Sequence, residues 1–394
     1  MAQGSKTDER HALPAQPLPA WRRAVLKVGS NLLAADGGGL TKQHASALAA
    51  FIAASQVQGR EVVLVSSGAV AAGRARLREY ARNPGELAAR QALAALGQAP
   101  MVALWQSLSV RPVAQVLLTH DDLRNRRRYL NARATLRELL RVGVLPVVNE
   151  NDTVAVDELK VGDNDNLAAI VAALVDADLL LIASDVSALY DADPRAHADA
   201  TPVLQIPALT PEILAMAGEA GSTVGTGGMR TKLQAAKKAA AAGIPTALFN
   251  GREVDTVRAL ERGELHGSLF AASATRPHAR KYWLRHAPAA AGRICVDAGA
   301  ARALVGGRVS LLPGGVLGAE GEFHRGDLVE IVGVDGAGVA RGLCHYNAAE
   351  VRRLAGHHTR EIVEVLGYSY GDEVVNRDDL VVTRVPTPHE ELSV

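Results

Sequence analysis

The chain has only two cysteines in 394 residues, Cys295 and Cys344. Two thiols cannot build a disulfide scaffold, and their spacing forms no CxxC metal or redox motif. A reducing, cytoplasmic setting is expected, although the sequence leaves a pairing of the two open. No excess of charge is present, with 43 Lys and Arg against 42 Asp and Glu. That balance excludes a field strong enough to recruit nucleic acid or an anionic membrane. No apolar run approaches the ~20 residues that a membrane span needs. Residues 1–20 carry Pro14, Pro17 and Pro19 and lack the apolar core of a signal peptide. They read as a disordered extension. Aromatic residues are scarce, at 4%.

Alanine and β-branched residues are plentiful, in an alternating order. Short apolar runs at 24–28, 61–65, 113–118, 144–148, 179–183 and 245–249 read as strands. Helical patterns at 41–57, 91–108, 130–141, 231–242 and from Leu167 onward separate them, the first capped by Thr41. Crossovers of this length imply a mostly parallel sheet covered on both faces, a three-layer α/β sandwich. Around residues 272–292 the composition turns Pro/Ala/Gly-rich. Runs at 293–296, 309–312, 327–334 and 338–344 then indicate a small β-rich second domain. The expected division is an extension at 1–20, an α/β domain at 21–275, a linker at 276–291 and a β-rich domain at 292–394.

The densest chemistry lies between Asn149 and Asn166, which reads NENDTVAVDELKVGDNDN. Six carboxylates stand there against one cation, Lys160, between a buried strand and a helix start. Polar clusters at the carboxyl ends of strands are where α/β folds bind ligands. A solvated loop with an ordinary helix cap is the competing reading.

Three further turns suit anions. Lys27 ends the first strand before Gly29, Ser30 and Asn31, though a snorkelling surface lysine is equally compatible. Ser66-Ser67-Gly68 offers hydroxyls and close backbone approach at a helix start. Gly225-Thr226-Gly227-Gly228-Met229-Arg230-Thr231-Lys232 opens directly into a helix. Its N–H groups and Lys232 suit a phosphate, but it fits neither the Walker A loop nor the dinucleotide fingerprint. Two lysine-bearing phosphate loops with carboxylates between them point to phosphoryl transfer onto a small molecule.

LKVGSN, SSGAVAAGR, LNARATL, NENDTVAVDELKVGDNDNLAA and GTGGMRTKLQAA, in this order, resemble the amino-acid kinase family, and within it the glutamate-phosphorylating members. FHRGDLVEIV, GLCHYN and LGYSYGDEVVNRDDL resemble a PUA domain. The resemblance implies transfer from ATP, with Mg²⁺, to the γ-carboxylate of L-glutamate, the first step of proline synthesis. It implies that Ser67, Asp152 and Asn164 bind glutamate, Asp152 meeting the ammonium and Asn164 a carboxylate. Lys27 and Lys232 match phosphate-contacting lysines, and Asp165 matches the carboxylate that holds them. Ser184 and Asp185, with Thr226, Gly227, Gly228, Met229, Arg230, Thr231 and Lys232, match the ATP positions. No dedicated protein ligands for Mg²⁺ are assigned. Feedback inhibition by proline and a homo-oligomer are further expectations. Asn31 departs mildly from the family, which commonly has Ser or Thr there.

Two other functions compete. One is phosphorylation of aspartate or N-acetylglutamate, whose kinases in this family usually lack a PUA-like appendage. The other is RNA binding led by the PUA-like domain. Residues 292–394 hold ten Lys and Arg against fifteen Asp and Glu, a sign that opposes phosphate-backbone binding. Arg124, Arg126, Arg127 and Arg128 form the basic cluster of the first domain, read as a solvated face or a subunit contact.

Overall fold

The structure is a computed structural model. It describes residues 13–35, 38–77, 87–155, 164–194, 196–197, 199–216, 228–273, 290–307 and 309–383. The chain divides into two compact units, a larger N-terminal one and a smaller C-terminal one.

The larger unit is built on an eight-stranded sheet. Its strands are β2 (Arg23–Val28), β3 (Glu61–Ser66), β4 (Val113–Leu118), β5 (Leu145–Glu150), β6 (Leu179–Ser184), β9 (Gln205–Ile206), β10 (Thr246–Asn250) and β12 (Gly267–Phe270). The spatial order is β4-β5-β3-β2-β6-β10-β12-β9. The first six run parallel and β12 pairs antiparallel to β10. Near-continuous Val, Leu and Ile runs fit strands buried on both faces. Two short ribbons complete the unit. In one, β1 (Gln16–Pro17) pairs with β11 (Glu264–Leu265); in the other, β7 (Leu189–Tyr190) pairs with β8 (Pro202–Val203).

The side-chain period of two assigns each strand residue to a face. Ala24, Leu26, Val28, Val62, Leu64, Val147, Leu181 and Phe249 form one core with Phe51, Ile52, Met101, Trp105, Val257 and Leu260. Those partners come from α2 (Ala45–Val57), α4 (Leu87–Leu108) and α10 (Val254–Glu261). Val25 and Lys27 therefore point to the opposite face, where α7 (Asn164–Leu174) packs on β2 and α9 (Met229–Ala241) packs on α7. This three-layer arrangement with a mostly parallel central sheet is the expected fold.

Helix α3 (Ala69–Arg76) lies so close to α4 that only glycine fits at two points. A Cβ on Gly73 would sit 1.9 Å from the Leu93 carbonyl oxygen, and one on Gly97 would sit 1.7 Å from that of Ala69. Gly68, which starts α3, has φ 110°, and a Cβ there would come within 3.4 Å of the Leu33 and Leu40 side chains. A side chain there meets both strain and crowding.

The disordered extension expected over residues 1–20 gives way to structure by Leu13. The Gln16 Nε2 donates to the carbonyls of Leu204 (3.0 Å) and Gly267 (2.7 Å), and Leu18 and Trp21 enter the core. Two apolar side chains and one buried amide outweigh the prolines, which an edge ribbon tolerates. Residues 1–12 lie outside the described residues.

The smaller unit has a five-stranded sheet of order β14-β13-β15-β16-β17. These are β13 (Gly292–Val296), β14 (Val316–Gly321), β15 (Leu328–Val332), β16 (Gly338–Cys344) and β17 (Val375–Val382). Helices Ala298–Gly306 and Ala348–Leu354 close its core, with Phe323, Tyr346 and Cys344 inside. The run expected as a strand at 309–312 forms only an isolated bridge, Leu311 to Val375.

Candidate active site

Strands β2, β3, β5, β6 and β10 end level with one another. Val28 pairs with Ser66 and Ala183, and Ser184 pairs with Asn250. The turns after these ends carry almost every residue that the sequence singles out.

Lys27 leaves β2 on the α7 face and is 5% exposed. Asp165, in the first turn of α7, is 1% exposed. The Lys27 Nζ lies 2.6 Å from Asp165 Oδ1, and the Lys232 Nζ lies 3.3 Å from Oδ2. The Thr231 hydroxyl donates to Oδ2 at 2.6 Å. Burial by itself raises the Asp165 pKa. The Lys27 and Lys232 ammoniums, with hydrogen bonds from Lys27 and Thr231, outweigh it and hold the carboxyl well below the usual carboxylate range. Two buried ammoniums thus share one ionised carboxylate, and the group keeps a net positive charge. Breaking such a set by deleting one partner is expensive, so the geometry is rigidly specified.

Lys232 sits in the first turn of α9, whose N-terminal N–H groups add positive potential. Among the described residues, a Cβ on Gly228, which precedes that turn, would meet nothing within 4 Å. A Cβ on Gly29 would lie 3.4 Å from the Lys27 Nζ. The backbone is therefore bare on the side that the lysines face, which suits close approach of an anion.

Ser184 ends β6 and Asp185 follows it. Asn31 Nδ2 donates to Asp185 Oδ2 at 2.9 Å, which joins this turn to the one after β2. Burial raises the Asp185 pKa; the bond from Asn31, a backbone hydrogen bond and the Arg252 and Lys232 charges outweigh it, to a net depression. Asn31, the family departure, thus acts here as a donor to an ionised partner.

A second cluster lies on the other side of α7. Asn164, beside Asp165, donates through Nδ2 to Ser67 Oγ at 2.8 Å and to Asn149 Oδ1 at 2.9 Å. Trp105 Nε1 donates to Ser66 Oγ at 2.8 Å and steadies the same turn. Asp152 is 6% exposed. Burial first, and then the nearby Glu150 carboxylate, push its pKa up to about 6. A carboxylate kept this uneasy by its surroundings favours a cationic ligand.

The expected residues Lys27, Ser67, Asp152, Asn164, Asp165, Ser184, Asp185, Thr231 and Lys232 thus stand at the strand ends and the first turns of α7 and α9. Thr226 and Gly227 lie outside the described residues, as do Asp157, Glu158, Lys160 and Asp163. Met229 and Arg230 are in the first turn of α9. Among the described residues, no group of three or more His, Cys, Asp or Glu is placed to hold a metal ion. Gln98 and Asn149 join the second cluster without having been assigned from the sequence. A glutamine among the small and apolar residues in the middle of α4 and an asparagine inside NEND were their only signals.

The profile of the amino acid kinase family matches residues 22–250, and that of the PUA domain matches residues 292–366. The glutamate 5-kinase of Xylella fastidiosa (strain M23) is 64% identical over 373 residues, 94% of this chain and 97% of its own. That of Xanthomonas euvesicatoria pv. vesicatoria (strain 85-10) is 66% identical over 361 residues, 91% of this chain and 100% of its own. Among solved structures, the UMP kinase from Bacillus anthracis superposes with a TM-score of 0.45 at 16% identity, covering 65% of this chain and 98% of its own.

Proposed function

The chain belongs to the amino acid kinase family, and from that premise we propose that it phosphorylates the γ-carboxylate of L-glutamate with ATP. The products are L-glutamyl 5-phosphate and ADP, as in the first step of proline synthesis. The relatives named for this reaction cover more than nine-tenths of the chain. The observation that carries the reading is the Asp165 carboxylate shared by the Lys27 and Lys232 ammoniums at the sheet end.

The chemistry needs no base. The acceptor carboxylate has a free pKa of ~4.3 and is already ionised at neutral pH. One of its oxygens attacks the γ-phosphorus as the bond from that phosphorus to the β–γ bridging oxygen breaks, and no proton moves. The obstacle is the approach of one anion to another. Lys27, Lys232 and the α9 N–H groups offset that charge, and Asp165 holds the two lysines in register. Mg²⁺ bound with ATP would neutralise part of the triphosphate charge, and no residue of this chain is assigned to hold it. Ser184, Asp185 and Gly228 face the nucleotide. Ser67, Asp152 and Asn164 hold the acceptor, with Asp152 on its ammonium.

The α/β domain carries the reaction in this reading, and the PUA domain a structural or regulatory role. Proline inhibits by competing at the acceptor pocket, where its own ammonium meets Asp152. The enzyme acts in the cytoplasm as a homo-oligomer.

The test is an ATP-dependent hydroxylamine trap with L-glutamate, L-aspartate and N-acetylglutamate in parallel. Hydroxamate from glutamate alone is expected. Hydroxamate from another acid keeps the mechanism and overturns the acceptor. None from any acid, in folded protein supplied with Mg²⁺, overturns the reaction.

A further inference from the structure

Four amides run in a line behind the acceptor pocket. Gln98 lies on α4 next to Gly97, the residue whose missing side chain lets α4 touch the start of α3. It is 8% exposed. Gln98 Nε2 donates to the backbone carbonyl of Glu150 at 3.3 Å. Gln98 Oε1 accepts from Asn149 Nδ2 at 3.2 Å and from Gln115 Nε2 at 3.3 Å. Asn149 Oδ1 accepts from Asn164 Nδ2 at 2.9 Å.

An amide side chain has two nearly isosteric ends, so its orientation is set by its partners. Here one partner cannot be reversed. The Glu150 carbonyl only accepts, so Gln98 must turn its nitrogen toward it. The Gln98 oxygen then faces Asn149, which must answer with its nitrogen. That leaves the Asn149 oxygen toward Asn164, which again must answer with nitrogen. The far end agrees, because Asn164 Nδ2 also lies 3.4 Å from the Ser66 carbonyl. The polarity is therefore transmitted from one backbone carbonyl through three side chains. Its outcome is that, among the described residues, Asn164 Oδ1 is buried with no hydrogen-bond partner, on a residue only 4% exposed. A buried acceptor of this kind is costly until a ligand supplies a hydrogen.

We propose that Gln98 is a positioning residue that fixes this relay, so that Asn164 presents oxygen rather than nitrogen to the acceptor and reads its ammonium. Asn164 then works with Asp152 on the α-amino group, in place of the carboxylate contact that the family resemblance implies for it. The pocket so built prefers an α-amino acid to the same diacid without its amino group. This rests on the glutamate-phosphorylating reading above.

The test compares kcat/KM for L-glutamate and for glutarate, its desamino analogue, by the hydroxylamine trap. Gln98→Met keeps the shape and removes both polar ends. Asn149 is then free to turn over, and Asn164 keeps its orientation only through the Ser66 carbonyl at 3.4 Å and the Ser67 hydroxyl at 2.8 Å. The expected result is a loss of about tenfold for glutamate, carried by KM, with glutarate changed less than about twofold and the ATP KM unchanged. Gln98→Glu, protonated at this buried position, still donates to the Glu150 carbonyl and accepts from Asn149, and is expected to keep the glutamate-to-glutarate ratio within about threefold. Gln115→Met removes one bond of the same cluster without releasing Gln98, and it keeps the ratio too. Should Gln98→Met fail to fold, Gln98→Ala makes the same test with room for water. Equal losses on both acids in the variants that release the relay, or a collapsed ratio in Gln115→Met, overturn the inference while the reaction stands. Wild-type protein that makes no hydroxamate from glutamate overturns both.

Discussion

Lys232 and Lys27 are equivalent as ammoniums but not as attachments. Lys27 is fixed by a central strand, whereas Lys232 rides on the first turn of α9. Removing Lys232 leaves Asp165 paired with Lys27 and takes away charge that matters most in the transition state. Lys232→Ala is expected to lower kcat by about a hundredfold or more, with a much smaller change in glutamate KM. Steady-state kinetics in both substrates check this, and a loss confined to KM would contradict it. Asp152 makes a different prediction. Its pKa of about 6 lies above the ordinary value of 3.8. Protonation therefore removes the ammonium partner as pH falls through about 6, and glutamate KM is expected to rise there while ATP KM does not. The same shift has the opposite sign for stability. A carboxyl whose folded pKa is raised binds more protons folded than unfolded, so stability is lost as pH rises from 3.8 to about 6, and the full cost persists above that. Asp152→Asn is expected to stabilise the ligand-free protein by about 2 kcal/mol at pH 8 and to weaken glutamate binding. Urea denaturation at pH 8 with parallel kinetics checks both halves. At this scale the sequence was legible where a motif carries charge. Lys27, Asp165 and Lys232 announce themselves beside glycines and carboxamides. Gln98 does not, because an amide among the small and apolar residues of a helix reads as its solvent face until the fold shows what that face touches.

Helices and strands were legible where their periodicity was long. β4 is found at its expected residues, and β3 and β6 differ from theirs by one residue. Helix starts were less clear. Thr41 does not cap α2, which begins at Ala45; its hydroxyl accepts from the Gln43 N–H instead. α7 begins at Asn164, three residues before its apolar pattern, because its first turn is polar yet buried against the site. The strands β12, β14 and β17 gave little signal, being short, glycine-bearing or half polar. The α3–α4 contact was not legible at all, since it depends on two glycines 24 residues apart meeting carbonyls across a helix pair. It nevertheless carries a sharp expectation. Gly97→Ala would place a Cβ 1.7 Å from the Ala69 carbonyl and 2.7 Å from the Gly73 nitrogen. Neither atom is the end of a flexible side chain, so the helices must part. A loss of about 2–3 kcal/mol is expected, against less than about 0.5 kcal/mol for Ala at Gly306, whose Cβ would meet nothing within 4 Å among the described residues. Thermal unfolding of the two variants checks the contrast.

The whole molecule joins a kinase unit to a PUA domain, and the second raises the question of RNA. Its charge argues against it, and so does the use of its cations. Arg352 donates to the carbonyls of Ala319 and Gly321, and Arg353 donates to that of Val365. Arg293 pairs with Glu330, and Arg377 lies 3.8 Å from Asp378. The Arg325 guanidinium stacks 4.0 Å from the Tyr370 ring centroid. A phosphate backbone would have to draw these groups from carbonyls, carboxylates and an aromatic face, on a domain whose acids outnumber its bases. Counterion release, which drives most non-specific binding, scales with the cations free to neutralise phosphates. The full chain is therefore expected to retain no tRNA on a filter at ~150 mM salt and ~1 μM protein, where non-specific binders with Kd values of about 10⁻⁴–10⁻⁶ M are at or below half-saturation. Lowering the salt separates the alternatives. Retention that emerges only at low salt marks weak attraction to the basic cluster of the first domain. Retention that persists at ~150 mM and vanishes on substituting Arg325 or Tyr370 would assign the PUA domain an RNA site despite its charge.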